Sequence, residues 1–456
     1  MKNFCRMIVL LMIMLIAFMQ AVVAENEALP DLIFNGNIQS PVTIHADSIS
    51  FSYLSPFDEL RTESMNRLMR HFSFDITSDG DKRNDCFVYI DEEPLYSEIE
   101  MEKDQSVLSY YSLAPESVFA RKKKESQDDF LSFLDNRFFI LNRLLDDLYP
   151  LFEKIPLIFP DKAKTEKVSL NYTGYGKGVK KMIFSFSAEE VENEFPSCLL
   201  ELTDSKYIAE LLNSMIFNGP QKIILIYDSE DHLLRMNYDG KAGFTEDDIR
   251  KLSIVCRSVR NNDNKKDKLT IKAPAVKGYN RNNIIYERTI DLSESIQKSM
   301  CFDYQLDNRL GTNRSKIHFY SDLSLKGTEF NGNMTYEQSG TNGDHKTVIK
   351  PEMNVNDKGE YFGTLEIIRK TGKIVLLGMK ASVLVSAGNF IQYPEMALSS
   401  VIDAESESGI DALSDVQDEI AGILINRITS LPKEDIDFIY HGISDSDWNL
   451  LFDSIM

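Results

Sequence analysis

Cysteine, tryptophan and positive charge are all scarce in this chain, and each shortage removes a class of function. Five cysteines and one tryptophan are spread over 456 residues. No cysteine sits in a CxxC pair or beside a histidine at ligand spacing, so a zinc ribbon or thioredoxin-like redox centre is not expected. The six histidines, His45, His71, His232, His318, His345 and His441, never fall two, three or four residues apart, and HExxH is absent. A zinc site would therefore need distant residues to converge. The elbow GxSxG is missing too: GISDS, Gly442 to Ser446, fails at its last position. TGYGKGVKK, Thr173 to Lys181, has the glycines and lysines of a phosphate loop without the GxxxxGK[ST] spacing. It also precedes a strand, so it reads as a hairpin tip. No EF-hand loop is present. The sequence thus assigns no catalytic residue, no metal and no cofactor. With 50 basic against 71 acidic residues the net charge is −21, which argues against nucleic acid as a partner and against adsorption to anionic membranes.

Long apolar runs are missing as well, apart from one. Met7 to Met19 is unbroken, with Lys2 and Arg6 before it and Val22 and Ala24 at its end. This is the layout of a secretory leader cut between Ala24 and Glu25. The rival is an uncleaved anchor, since Met7 to Ala24 is nearly long enough to span a bilayer. Removing residues 1–24 takes two cations and no acid, which leaves −23. The expected address is secreted or cell envelope, with no transmembrane segment after the leader. Four cysteines remain, Cys86, Cys198, Cys256 and Cys301. They allow two disulfides in three connectivities, or four thiols acting as small apolar residues.

What is present is amphipathic patterning. In the stretch 127–156, Phe130, Leu134, Phe138, Leu141, Leu145, Leu148 and Phe152 recur at helical spacing, with Asp135, Asn136, Asn142, Arg143 and Asp146 on other faces. Pro150 should kink or end this helix. Before it come a strand at Ile49–Ser55, a helix at Glu59–Met69, and strands at Phe72–Ile76, Cys86–Ile90, Leu95–Met101 and Val107–Leu113. After it come hairpins around residues 168–186 and 222–238, helices at about 204–217 and 245–259, and an exposed loop at Asn261–Lys268. A long β region runs from Leu269 to Ala387. The pattern predicts an α+β fold dominated by antiparallel sheet, in two β-rich blocks with curved, half-barrel-like sheets wrapping helices. The expected organisation is a leader at 1–24, a block at 25–160 with a long helix at about 128–154, a block at 161–394, and a helical segment at 395–456. This order of elements resembles the half-barrel of envelope lipoprotein carriers, as an analogy of pattern with no motif behind it.

Two further constellations stand out. Glu98, Glu100 and Glu102 alternate along a strand, as a cation ridge or a solvated face would. Asn171, Asn313 and Asn333 open glycosylation sequons, about as many as chance gives in an Asn-rich chain. The reading that follows is an exported, non-catalytic envelope or extracellular protein that binds a ligand or partner. An apolar, lipid-like ligand in the sheet's concavity, around Ile317–Val385, is the form it takes. The alternative is a hydrolase of cell-envelope polymers with unidentified carboxylates. In the last segment, Trp448, Leu451, Phe452 and Ile455 form one apolar stripe. N-terminal sequencing of exported protein should begin at Glu25; a chain that retains Met1 in the membrane would contradict the leader.

Overall fold

The computed structural model describes residues 41–440 except 56, 79–82, 104–105, 113–117, 123–139, 194, 204, 244–245, 261–263, 276–280, 292–296, 311–312, 341–342, 391–400 and 405. The expected leader, Phe138, the Trp448 stripe and His441 lie outside the described residues. The strands are mostly antiparallel and belong to one 20-stranded sheet. The expected predominance of antiparallel strands is there.

In chain order the first elements are β1 (Val42–Leu54), α1 (Glu59–Met69), β2 (Phe72–Ser78), β3 (Arg83–Ile90), β4 (Glu93–Lys103), β5 (Ser106–Tyr111) and β6 (Val118–Lys122). Then come α2 (Ile140–Ile158), β7 (Ala163–Tyr172), β8 (Gly176–Phe186), and the short helices α3 (Ala188–Asn193), α4 (Phe195–Leu202) and α5 (Lys206–Ser214). Next are β9 (Ile216–Tyr227), β10 (Leu233–Gly243), β11 (Arg250–Arg260), β12 (Asn264–Ala273), β13 (Arg281–Asp291) and β14 (Gln297–Leu310). The chain continues with β15 (Asn313–Lys326), β16 (Glu329–Gly340), β17 (His345–Val355), β18 (Tyr361–Thr371), β19 (Ile374–Ala387), β20 (Val401–Asp403), α6 (Glu407–Thr429) and α7 (Lys433–Tyr440). Two compact units form: one from residues 1–124, 325–333 and 346–456, the other from 125–324 and 334–345.

In the first unit the antiparallel order is β6–β5–β4–β3–β2–β1–β19–β18, and β20 adds a short parallel pairing to β6. Val42, Ile44 and Ala46 point into the core while Thr43 and His45 alternate outward. Ile49 and Phe51 are buried as the alternation predicts, but Tyr53 is 43% exposed. The cause is a register shift between Phe51 and Tyr53, which turns the later side chains over. α1 occupies the predicted residues. Asp58 accepts the Arg61 N–H at 2.9 Å and so caps its first turn. Met65 and Leu68 are fully buried. The side-chain amide of Asn66 acts as a piece of extra strand: its Oδ1 accepts the Phe51 N–H and its Nδ2 donates to the Phe51 carbonyl at 2.8 Å. α7 packs on α1, and His71, just past α1, reaches both Asp91 and Asp435. Asp91 and Glu92 both have positive φ, which makes the tight β3–β4 turn without glycine.

In the second unit the order is β7 through β14, each strand antiparallel to the next. Three expectations need correction. The helix expected at 245–259 is a single 3-10 turn, Glu246–Asp248, followed by strand β11. Leu252, Cys256 and Ser258 alternate inward, and Ile254, Val255 and Val259 are β-branched, so the period of two overrides the acidic helix-start signal. The helix expected at 204–217 stops at Ser214, and Asn218-Gly219-Pro220 lies inside β9, with Gly219 at φ +68°. The loop expected at 261–268 is strand from Asn264 onward, with Asp267 wholly buried. α2 continues through Pro150 and Pro156 to Ile158, with Leu145, Leu151, Phe152 and Ile155 buried. It packs against α4 and α5. Cys86, Cys198, Cys256 and Cys301 are free thiols, with Cys86 and Cys256 buried.

Asn66→Ala would leave the Phe51 N–H and carbonyl without their partner, at a cost of about 1–3 kcal/mol for a buried group. Urea unfolding measures this, and a change below about 0.5 kcal/mol, the range of an ordinary surface substitution, would show that water replaces the amide.

Candidate functional site

The two faces of the β9–β13 sheet carry opposite kinds of chemistry. The inner face is apolar over Leu225, Met236, Leu269, Ile271, Ile284 and Tyr286. At one end it turns ionic. Asp267 on β12 is 0% exposed and Arg288, opposite it on β13, is 1% exposed. The Arg288 Nε donates to Asp267 at 2.6 Å, and its two terminal nitrogens grip Asp146 of α2 at 2.6 and 3.1 Å. Arg260 of β11 donates to Asp146 at 3.0 Å, to Asp267 and to the Leu145 carbonyl, and its guanidinium lies 4.5 Å over the Tyr149 ring. Ser258 donates to Asp267 at 2.5 Å, and the Tyr149 hydroxyl donates to the Leu233 carbonyl at 2.7 Å. Burial alone would raise the Asp146 carboxyl; Arg288, Lys265 and Arg260 outweigh it and hold the group below its ordinary value. Burial likewise opposes the charge on Arg288, and Asp267 and Asp146 more than restore it. With every charge paired across α2 and three strands, this web is a clamp that seats the helix.

The outer face is built rung by rung. One rung runs Ile226–Arg235–Arg257–Lys268–Glu287, and a second runs Lys222–Asp239–Ser253–Lys272–Asn283. Between them lies an uncharged rung, Ile224–Asn237–Val255–Thr270–Ile285. Lys241 pairs with Lys251 beyond the second rung, Val259 with Lys266 beyond the first, and Arg281 opens β13. Nine cations thus face three carboxylates, Asp239, Glu287 and Asp291, in a chain of net charge −21. Lys222, Lys241, Lys251, Lys266, Lys272 and Arg281 are exposed. Like charges opposite one another on neighbouring strands destabilise a sheet, so two local devices offset the repulsion. Lys268 is paired with Glu287. The β7–β8 hairpin folds its tip onto the face, so that the Tyr172 ring lies 5.3 Å from the Arg235 guanidinium and 5.4 Å from that of Arg257. Tyr175 lies 5.3 Å from the Lys266 ammonium and packs with Tyr172 and Ile226. The tip needs its glycines: Gly174 and Gly176 have φ of +78° and +112°, and a Cβ at Gly178 would stand 2.5 Å from Ile226. TGYGKGVKK is therefore a hairpin tip, as its spacing predicts, and it serves as an aromatic platform for arginines.

The residues that the sequence singles out stay apart. Glu98 and Glu100 lie on β4 as expected, where they accept from the Tyr96 hydroxyl and from Ser109; the Glu102 side chain lies outside the described residues. His45 contacts Asp75 at 2.6 Å, His71 contacts Asp91 and Asp435, His232 contacts Asp228 and His318 contacts Asp303. These histidine–acid contacts lie apart from one another, and among the described residues no cluster of His, Cys, Asp or Glu is fit to hold a metal. Of the apolar residues expected around a ligand cavity, Tyr361, Leu365, Ile367, Met379 and Val383 are core. Sequence reasoning misses the basic face. Its signal is the alternation of Lys266, Lys268 and Lys272 with buried Asp267, Leu269 and Ile271, which emerges once 264–273 is read as strand.

No family model and no curated protein matches the chain. Among solved structures, the outer membrane protein OmpT of Vibrio cholerae is similar over 76% of this chain and 98% of its own, at 8% identity and a TM-score of 0.25. The outer membrane protein opdK of Pseudomonas aeruginosa covers 76% and 97% at 6% identity and a TM-score of 0.24. OpdO of the same organism covers 76% and 94% at 7% identity, also with a TM-score of 0.24. Scores of this size establish neither a common fold nor a common function. No helix among the described residues is long and apolar enough to cross a membrane.

Asp146→Ala breaks the clamp and leaves Arg288 with one carboxylate. The expected loss is about 3 kcal/mol, the low end for a broken buried pair, because Asp146 is itself 38% exposed. As the folded-state value of Asp146 is depressed, its contribution is present above the ordinary 3.8 and fades as pH falls through the lowered value. Urea titrations of wild type and variant should therefore converge in strong acid; a constant gap down to the lowest pH, or no gap at neutral pH, would contradict the clamp.

Proposed function

We propose that the chain is an exported, non-catalytic protein of the cell envelope or extracellular space, and that its partner docks on the outer face of the β9–β13 sheet. The observation that carries this reading is the segregation of charge. That face is net positive by six, so the remainder of the chain stands at −27. The leader-like N-terminus supports export, and the buried web behind the face holds α2 against the same strands. An anionic partner would relieve the like-charge rungs and so bind where the fold is electrostatically least content. We place the partner here rather than among the apolar residues of Ile317–Val385, because those of β18 and β19 bury against the protein.

Lysine acetylation with and without an extract of the source envelope tests this. Protection of Lys251 and Lys272, with Lys358 and Lys373 unchanged, is the expected result. Uniform reactivity together with breakdown of envelope polymer would overturn it in favour of a hydrolase.

A further inference from the structure

Resting on that reading, we infer that the outer face of β9–β13 is a docking surface for an anionic phospholipid bilayer. Three features of the face point to a bilayer over a small or soluble anion. First, size: five strands at about 4.8 Å spacing and some eight residues at about 3.3 Å each give a basic area roughly 20 by 26 Å. That is far larger than one phosphate or carboxylate. Second, layout: the uncharged rung with Ile224, Val255 and Ile285 runs between two cationic rungs and is only half-buried. The exposed Lys222 and Lys272 on one side and Lys266 on the other can reach headgroup phosphates while Ile224, Val255 and Ile285, which alternate with Asn237 and Thr270, meet the glycerol level. A soluble polyanion would make no use of those three aliphatic side chains. Third, polarity of the chain: the remaining −27 is repelled by an anionic surface, which favours an approach with this face forward. Electrostatic attraction falls off within a Debye length of about 8–10 Å at physiological salt. Charges on the face itself therefore decide contact, and the chain's net charge does not. This revises what composition alone implies about anionic membranes.

The full-length mature protein is tested by co-sedimentation with phosphatidylcholine vesicles with or without one quarter phosphatidylglycerol. Binding only to the anionic vesicles, and release by about 0.5 M salt as expected for screened charges, is the predicted pattern. At about 1 kcal/mol per cation near the surface, K251Q/K272Q should weaken partition about thirtyfold. K358Q/K373Q, on turns of the first unit, should leave it unchanged. Equal binding by both double variants, or none to phosphatidylglycerol, would overturn the inference. Binding of soluble polyphosphate without vesicle binding would also overturn it, and would assign the face to a soluble polyanion. If vesicles fail while lipid-free envelope extract still protects Lys251 and Lys272, the inference falls and the proposed function stands. If neither protects them, both fall.

Discussion

Arg288 keeps a full charge with almost none of its side chain exposed, and the second unit depends on how that charge is satisfied. Isolating a guanidinium in a protein interior is prohibitive unless carboxylates meet it with good geometry. Asp267 supplies one from the neighbouring strand and Asp146 supplies the other from α2. Because the two acids come from different elements, satisfying Arg288 fixes where the helix lies on the sheet. Arg260 extends the same logic, bonding both acids and stacking on Tyr149 of the helix. Apolar packing by Leu145, Phe152 and Ile155 supplies area, and the ion web supplies position.

A sheet anchored this way on one side can tolerate an expensive arrangement on the other. Arg235, Arg257 and Lys268 occupy adjacent positions on three strands, and Lys241 faces Lys251. The Tyr172 ring between two guanidiniums and the Glu287 carboxylate beside Lys268 soften the repulsion without removing it. The face is also unlike the lipid-facing side of a membrane-spanning strand, which carries an apolar band with charged residues disfavoured at mid-depth. Its pattern suits the surface of a bilayer, where cations and half-buried aliphatic side chains both find partners.

Much of the first unit is legible in the sequence. β2 to β5 lie where the period of two places strands, β1 begins at Val42, ahead of the strand expected from Ile49, and α1 lies on the residues that its polar cap and apolar spacing indicate. β6 is not among the expected strands, because its five residues are too few to show the alternation and two of them, Arg121 and Lys122, are charged. In the second unit, acidic Glu246–Asp248 reads as a helix start and Lys265–Lys268 reads as a loop, yet the segments they introduce pair into the sheet. Both misreadings have one physical source. Charge along a sequence suggests exposure, whereas Asp248 and Asp267 are buried beside arginines. The basic face escapes for a related reason. Net charge averages over the molecule, and only the register of five strands shows that the cations gather on one side. The clamp is equally out of reach, since Asp146 and Arg288 are 142 residues apart.

Which surface meets the partner is the central question. Vesicles containing a phosphatidylglycerol with a photoreactive group near the headgroup, irradiated with bound full-length protein and mapped by mass spectrometry, report that surface directly. Adducts confined to peptides covering β9 to β13, at outward residues such as Lys222, Ser253 and Lys272, are the predicted result. Adducts concentrated on peptides of the first unit, with the β9–β13 peptides unmodified, would contradict it.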